Sequence, residues 1–538
     1  MRRKSVLFFA FLIFSLVGFS QVARPKLVVG LVVDQMRWDY LYRYSDLYGN
    51  GGFKRLLKEG FSSENNFIPY MPTYTAVGHS CIYTGSVPAI TGIVGNNWYD
   101  KAANKNVYCT DDSTVSTVGN NGKAGKMSPA NMWTTTITDE LRLSNNFKSK
   151  VIGIALKDRG SILPAGHSAN AAYWYDGGKW ISSTHYMNAL PGWVNKFNDK
   201  DVAGAYMKTD WNTLLPIEKY DLSTADDKPY ETSIKGEKTV TFPHKLSAID
   251  AGNKYESFRT TPFANTFTFD FAKAAIESER LGKNTVTDFL AISISSTDYV
   301  GHSFGPNSIE IEDTYLRLDK DIESFLNYLD KTVGKGNYTL FLSADHGVAH
   351  VPAFLKEHKI PAGTFDDADI LKELNRKIEE KFAVKTAVKT VMNYQVYLND
   401  KNIAEQNKSK DEIIDFVIDR LKEKDFIINA FELDEVMEAA LPAPQREMMI
   451  NGYNPKRSGD IEFTFKSGYF DGGTKGTTHG LWNPYDAHIP CVFFGWGVKP
   501  GKTNRETYMT DIAPTLAALL KIQMPNGCVG KVITELIK

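Results

Sequence analysis

Five short apolar, β-rich runs punctuate the chain, and four of them break off at charged or metal-ligating residues. "KLVVGLVVDQ" (26–35) closes on Asp34, "VIGIALKDR" (151–159) on Lys157 and Arg159, "FLAISISSTD" (289–298) on Asp298, and "TLFLSADHG" (339–347) on Asp345 and His346. "IPCVFFGWG" (489–497) is the fifth. Runs that are apolar at every position, not at alternate ones, suit strands buried on both faces, as in a parallel sheet. Between them the apolar period lengthens. Ile311, Tyr315, Leu318, Ile322, Phe325 and Leu329 fall on one stripe of a helix within 309–334. "TFDFAKAAIESERLG" reads as a helix closed by a C-cap glycine, and "TDIAPTLAALLKI" (510–522) opens on a Thr/Asp cap signal. The alternation predicts an α/β fold with a mostly parallel central sheet and helices on both faces.

Two stretches interrupt this rhythm. Residues 165–265 are rich in Trp, Tyr, Asn, Gly and Asp, and residues 355–470 hold helical segments such as "SKDEIIDFVIDRLKEKD" (409–425) and lysine-rich turns. Both are expected to be cap insertions in a single catalytic domain spanning 21–538. The N-terminus begins "MRRK", continues with the apolar "VLFFAFLIFSLV" (6–17), and offers Gly18 and Ser20 as small residues before Gln21. That pattern predicts a cleaved signal peptide over 1–20, a periplasmic or secreted product, and no membrane anchor after cleavage.

Composition narrows the partners. The 62 basic and 63 acidic residues give a net charge of -1, with no block of like charge. Neither nucleic acid as an obligate partner nor an anionic membrane is favoured. Cys81, Cys109, Cys491 and Cys528 show no CxxC spacing, which excludes a thiolate zinc site or a redox motif and leaves three disulfide pairings open.

In open α/β sheets, ligands bind beyond the carboxyl ends of the strands. Asp34, Lys157 with Arg159, Asp298, and Asp345 with His346 are therefore expected at one edge. In "TDYVGHSFG" (297–305) Asp298 and His302 are four apart and face one ion if the chain turns helically there. Asp345 and His346 are adjacent, so they share an ion only at an irregular strand end. His479 lies on the Gly/Thr-rich "GGTKGTTHGLW" (472–482). Oxygen and nitrogen donors without thiolate suit Zn²⁺, with Mn²⁺ or Fe less favoured, and six donors suffice for two ions with open positions.

The segments "VVDQMRWDY", "PTYTAVGHSCIYTG", "GNNW", "ALKDRG", "STDYVGHSFG", "SADHG", "THG" and "MTDIAPTLAALL" resemble, in content and order, the alkaline phosphatase superfamily. The resemblance covers nearly the whole chain after the leader and is nearest to the flavobacterial phosphate-irrepressible alkaline phosphatase type. It implies that Asp298, His302 and His479 hold one zinc, and that Asp34, Asp345 and His346 hold a second, to which Thr75 bridges before attacking phosphorus. It also implies that Asn96, Lys157 and Arg159 grip the phosphoryl oxygens, with Lys157 and Arg159 standing in for the family's third, magnesium-type site.

Elementary chemistry points the same way. A free threonine hydroxyl is a poor nucleophile, and a bound metal supplies the missing activation. Lys157 and Arg159, two apart on an extended segment, are expected to point together. Their two charges favour a monoester dianion over a diester monoanion, so the expected substrates are small phosphate monoesters. A monomer is expected. A phosphodiesterase or nucleotide pyrophosphatase on the same two-metal core is the alternative. A secreted binding protein on an inactive scaffold is a third reading, opposed by the complete donor set. A sulfatase is disfavoured because "TAVGH" lacks the C/S-x-P-x-R pattern. His79, His350 and His488 read as structural, Thr73 as shaping its turn, and His167 as a residue at the site's edge that is not assigned to the site. "GWGVKPGKT" (495–503) imitates a phosphate loop but has Trp496 where the first glycine belongs.

Overall fold

The structure, a computed structural model, describes residues 22–538. The expected leader over 1–20 lies outside the described residues. Ten strands build one sheet: β1 (Leu27–Val33), β2 (Phe61–Phe67), β3 (Thr117–Val118), β4 (Val151–Ala155), β5 (Ala171–Asp176), β6 (Lys179–Ser183), β7 (Asp288–Ile294), β8 (Tyr338–Ser343), β9 (Cys491–Gly495) and β10 (Gly501–Tyr508). Their order is β10-β2-β9-β8-β1-β7-β4-β5-β6-β3. From β8 to β5 all neighbours are parallel. The strands at its centre, β1, β7 and β8, are buried at every residue, which is why their sequences do not alternate.

The fifth apolar run departs from the parallel expectation, since β9 pairs antiparallel with β8. Cys491 lies opposite Ser343, the last residue of β8. The long connection between them thus returns at the carboxyl edge and enters the sheet from there. A uniformly apolar run encodes burial, not direction. The phosphate-loop imitation is part of the edge: β10 runs parallel to β2 from Gly501.

Helices pack over the sheet in two layers. One contains α1 (Thr75–Thr84), α2 (Asp158–Ala165) and α6 (Ile512–Leu520); the other contains α3 (Phe263–Glu279) and α5 (Ile309–Leu329). A shorter helix, α4 (Ser296–Phe304), follows β7 directly. The apolar stripe of α5 is buried as its spacing predicts. α3 ends earlier than its glycine. Arg280 takes the left-handed conformation at φ 56°, and Leu281 donates its N–H to the Ile276 carbonyl. Complete burial of the Leu281 side chain offsets the roughly 1 kcal/mol cost of that backbone.

The two irregular stretches differ. Within 165–265, β5 and β6 extend the central sheet, and the remainder packs around α3, α4 and α5. Within 355–470, four antiparallel strands form a separate sheet in the order Val388–Met392, Gln395–Leu398, Ile461–Phe465, Ile427–Glu432. Helices Asp367–Phe382 and Lys410–Lys422 cover it, and it has its own apolar core around Ile378, Val417 and Phe463. This unit grips the strand Asn97–Asp100, which carries Trp98: Asn393 Nδ2 donates to the Asn97 carbonyl at 2.9 Å. The Arg457 guanidinium lies 4.6 Å from the Trp98 ring centroid and 4.2 Å from that of Trp133, and it also donates to the Asn131 carbonyl at 2.7 Å.

Candidate metal centre and active site

The carboxyl ends of β1, β4, β7 and β8 are adjacent, so the residues after them meet. Asp34 follows β1, Lys157 caps α2 after β4, Asp298 lies in the first turn of α4, and Asp345 with His346 follows β8. All are buried. His479 arrives on its loop and is also buried, while His302 is partly exposed. The donor atoms form two groups, Asp298 with His302 and His479, and Asp34 with Asp345 and His346.

The imidazoles are preset. His302 Nδ1 contacts the Thr477 carbonyl at 2.7 Å, His479 Nδ1 the Thr73 carbonyl at 2.8 Å, and His346 Nδ1 the Gly347 carbonyl at 2.9 Å. A carbonyl accepts only, so each Nδ1 carries the proton and each Nε2 presents a lone pair. Those Nε2 atoms face aspartate oxygens: His302 at 3.2 Å and His479 at 3.7 Å from Asp298 Oδ1, and His346 at 3.3 Å from Asp345 Oδ2 and 3.5 Å from Asp34 Oδ1. Two donors about 2.0–2.1 Å from a tetrahedral zinc stand roughly 3.3 Å apart, so the spacing suits such an ion.

Electrostatics demand cations here. Three aspartates converge in the interior around one lysine, whose Nζ lies 2.7 Å from Asp34 Oδ2 and 2.6 Å from Asp298 Oδ2. Asp34 Oδ1 and Asp345 Oδ2 are buried with no hydrogen-bond donor. Burial, and then the neighbouring Asp345, push the Asp34 carboxyl well above the usual range. Asp298 and Asp345 resist the same burial: His302 and Lys157 hold Asp298 low, and His346 and His79 hold Asp345 low. Burial also keeps His346 and His479 below the ordinary imidazole value, and their rings stack 3.4 Å apart. Uncompensated charge of this kind is costly in a protein interior, and divalent cations are its natural partners.

Thr75 is the first residue of α1 and is buried. Its Oγ1 lies 3.4 Å from His346 Nε2, and Lys157 Nζ donates to it at 3.5 Å. The unsatisfied N–H groups of a helix start favour an anion at this point. Asn96 Oδ1 accepts from the Ala76 N–H at 2.9 Å, which commits the oxygen and turns the amide so that Nδ2 remains to donate. Arg159 Nη1 donates to Tyr108 Oη at 3.1 Å, and that hydroxyl donates to Asp158 Oδ1 at 2.6 Å. The extended reading of this pair is corrected. Lys157 is the N-cap of α2 and Arg159 lies inside its first turn, so the pair sits on a strand-to-helix corner, with Lys157 among the aspartates and Arg159 against Tyr108 and Asp158.

Sequence reasoning missed Gln35. Its Nε2 donates to Asp298 Oδ1 at 2.8 Å and its backbone N–H to Asp345 Oδ1 at 3.1 Å, so it touches one member of each group. Its backbone sits at φ 65°, a conformation that costs a side-chain-bearing residue energy and marks a constrained position. Only its place after Asp34 could have signalled it. His79 spans Thr75 and β7, with Nδ1 2.8 Å from the Thr75 carbonyl and Nε2 2.8 Å from Ser293 Oγ. His167 bonds Asp139 and the Met132 carbonyl, His350 bonds Arg37 and Asn307, and His488 bonds the Glu64 carbonyl. Thr73 Oγ1 bonds the Leu481 carbonyl. All four cysteines are free thiols.

Residues 28–486 match the family described as type I phosphodiesterase / nucleotide pyrophosphatase. A relative from Myroides odoratus named calcium-transporting ATPase is 58% identical, over 98% of this chain and 97% of its own. Alkaline phosphatase PhoV of Synechococcus elongatus is 56% identical, over 96% of this chain and 94% of its own. Alkaline phosphatase PafA of Elizabethkingia meningoseptica is 53% identical, over 96% and 95%. A crystal structure of wild-type alkaline phosphatase PafA covers 96% of this chain and 100% of its own, with a TM-score of 0.94.

Proposed function

The chain belongs to the type I phosphodiesterase / nucleotide pyrophosphatase family and is one of its alkaline phosphatases; from that premise we propose that it hydrolyses small phosphate monoesters through a phosphothreonine, using two zinc ions. The observation that carries this reading is the donor set: three imidazoles with Nε2 free, each aimed at buried aspartates.

Asp298, His302 and His479 would hold one ion, and Asp34, Asp345 and His346 the other. Bound zinc supplies Lewis acidity, lowering the pKa of a coordinated hydroxyl and stabilising attacking and leaving oxygens. Thr75 is the nucleophile: its Oγ1 forms the bond to phosphorus as the ester oxygen leaves in line. Water then breaks the phosphothreonine in a second displacement, releasing phosphate and restoring the hydroxyl. Asn96 Nδ2, Lys157 and Arg159 orient the non-bridging oxygens and offset their charge, which is most of what phosphoryl transfer asks of a protein. Arg159 offers a planar pair of donors, and Lys157 a point charge.

Two cations beside the metals favour the dianionic monoester. The family's description makes diester hydrolysis the competing reading. Relative kcat/KM on p-nitrophenyl phosphate and bis-p-nitrophenyl phosphate separates the two, and preference for the diester by orders of magnitude would overturn the monoesterase reading. The ATPase part of the Myroides relative's name fits the same chemistry, because the terminal phosphoryl of ATP is also a dianion. No helix among the described residues is long and apolar enough to cross a membrane. The enzyme acts as a monomer, with every site residue drawn from one chain, and its basic-then-apolar N-terminus directs it to the periplasm or medium.

A further inference from the structure

The unit built on the separate four-stranded sheet holds one segment of the catalytic body by its backbone. Asn454 Nδ2 donates to the Ala89 carbonyl at 3.0 Å, Arg457 Nη1 to the Gly92 carbonyl, and Asn393 Nδ2 to the Asn97 carbonyl at 2.9 Å. Asn96 lies inside that segment.

Arg457 is the centre of the grip. Its guanidinium lies over two indoles, 4.6 Å from the Trp98 centroid and 4.2 Å from the Trp133 centroid, an arrangement that attracts a cation. Its Nη1 also donates to the Asn131 carbonyl at 2.7 Å, so these donors go to carbonyls and not to a carboxylate. Burial lowers its pKa, against the opposing effect of Asp100, to about 10, and the group stays charged at neutral pH. The backbone beneath it is fixed as well. Tyr397 Oη, on the strand Gln395–Leu398, donates to the Arg457 carbonyl at 3.1 Å, and the Arg457 N–H donates to the Asn454 carbonyl at 3.0 Å.

The held segment leads straight to the nucleophile. Trp98 is buried in a small apolar cluster with Ala76, Ile93 and Val94. Asn96 stands two residues before Trp98, and its Oδ1 accepts from the N–H of Ala76, the residue after Thr75. Close-packed side chains transmit a shift to their neighbours, so a displaced Trp98 ring moves the cluster and the amide together.

We propose that Arg457 is a positioning residue for Asn96: through this guanidinium the separate unit fixes the segment that presents the Asn96 amide to the phosphoryl group. This rests on the reading of Asn96 as a phosphoryl ligand and gives the 355–470 insertion a part in it. A donor held to a tolerance of about 0.5 Å loses much of its effect when its support relaxes.

A double-mutant cycle on kcat/KM for p-nitrophenyl phosphate tests the link, with zinc content and Tm measured for each variant. Arg457→Met keeps an unbranched apolar stem and removes the charge and the donors. It is expected to lower kcat/KM about 10-fold at wild-type zinc content, and Asn96→Ala about 10²-fold, the scale of one preorganised donor. With Asn96 already removed, Arg457→Met should cost less than about twofold, because nothing remains for it to position. Arg457→Lys keeps the cation over the indoles without the planar fork, and an intermediate loss is expected. Equal losses from Arg457→Met in both backgrounds, the mark of a merely structural staple, overturn the proposal, as does no loss in the wild-type background. If Arg457→Met fails to fold, the same cycle with Arg457→Lys decides by the same criteria. Failure of the underlying reading is distinguishable, because Asn96→Ala alone would then leave kcat/KM unchanged.

Discussion

The Thr75 hydroxyl stands at a helix start, 3.4 Å from an imidazole nitrogen and 3.5 Å from an ammonium, and the proposed chemistry turns on that one atom. Thr75→Ala is expected to abolish the phosphoenzyme and lower kcat about 10³-fold, some 4 kcal/mol of barrier, while bound zinc measured by mass spectrometry stays at the wild-type level. Undiminished turnover would refute the assignment. Arg159→Ala should cost monoesters about 10²-fold in kcat/KM, the scale of one preorganised donor, and diesters far less. Gln35→Ala tests a residue that does no chemistry. It removes the donor to Asp298 Oδ1 and should weaken zinc affinity about 10-fold in a chelator competition, as loss of an outer partner does. The gathering of Asp34, Asp298 and Asp345 in one place was legible because each ends an apolar run. Gln35 was not, because a glutamine after an aspartate carries no pattern and its role depends on a positive φ.

Elements differ in what their sequences disclose. The stripe along α5 and the i,i+4 spacing of Asp298 and His302 on α4 follow from helical geometry alone, and both were readable. The direction of β9 and the strand-to-helix corner that carries Lys157 and Arg159 depend on how the chain returns from distant segments, which local periodicity does not record. The start of α5 also holds a charged network. His244 Nδ1 lies 2.9 Å from Glu237 Oε2 and its Nε2 3.2 Å from Glu310 Oε1. Burial opposes the imidazolium, but the two glutamates prevail and raise its pKa to about 9. Because the folded value exceeds the ordinary one near 6.5, the contribution to stability is complete below about pH 6.5 and is lost as pH rises through about 9. The Tm should fall between pH 7 and pH 10, with a shallower decline in His244→Gln; identical slopes would contradict the assignment.

For the whole molecule, the buried aspartates make folding and metal loading one problem. Removal of metal should abolish hydrolysis and lower Tm by several degrees, since each tight ion contributes about 4 kcal/mol at a thousandfold excess over its Kd; zinc should restore both, and a Tm indifferent to chelation would speak against an interior metal centre. The α/β class was legible from the alternation of runs, whereas the contribution of β5 and β6 to the central sheet was hidden in a stretch whose composition reads as loop. The central sheet also sets a clock. β1 emerges first, yet its two partners, β7 and β8, begin 261 and 311 residues later (288 less 27, 338 less 27). At synthesis rates of about 5–20 residues per second, an uninterrupted apolar strand waits on the order of 13–60 s without its neighbours. The nascent chain must therefore be kept unfolded or shielded for that interval, and chaperone dependence during synthesis is written into the order of strands in the sheet.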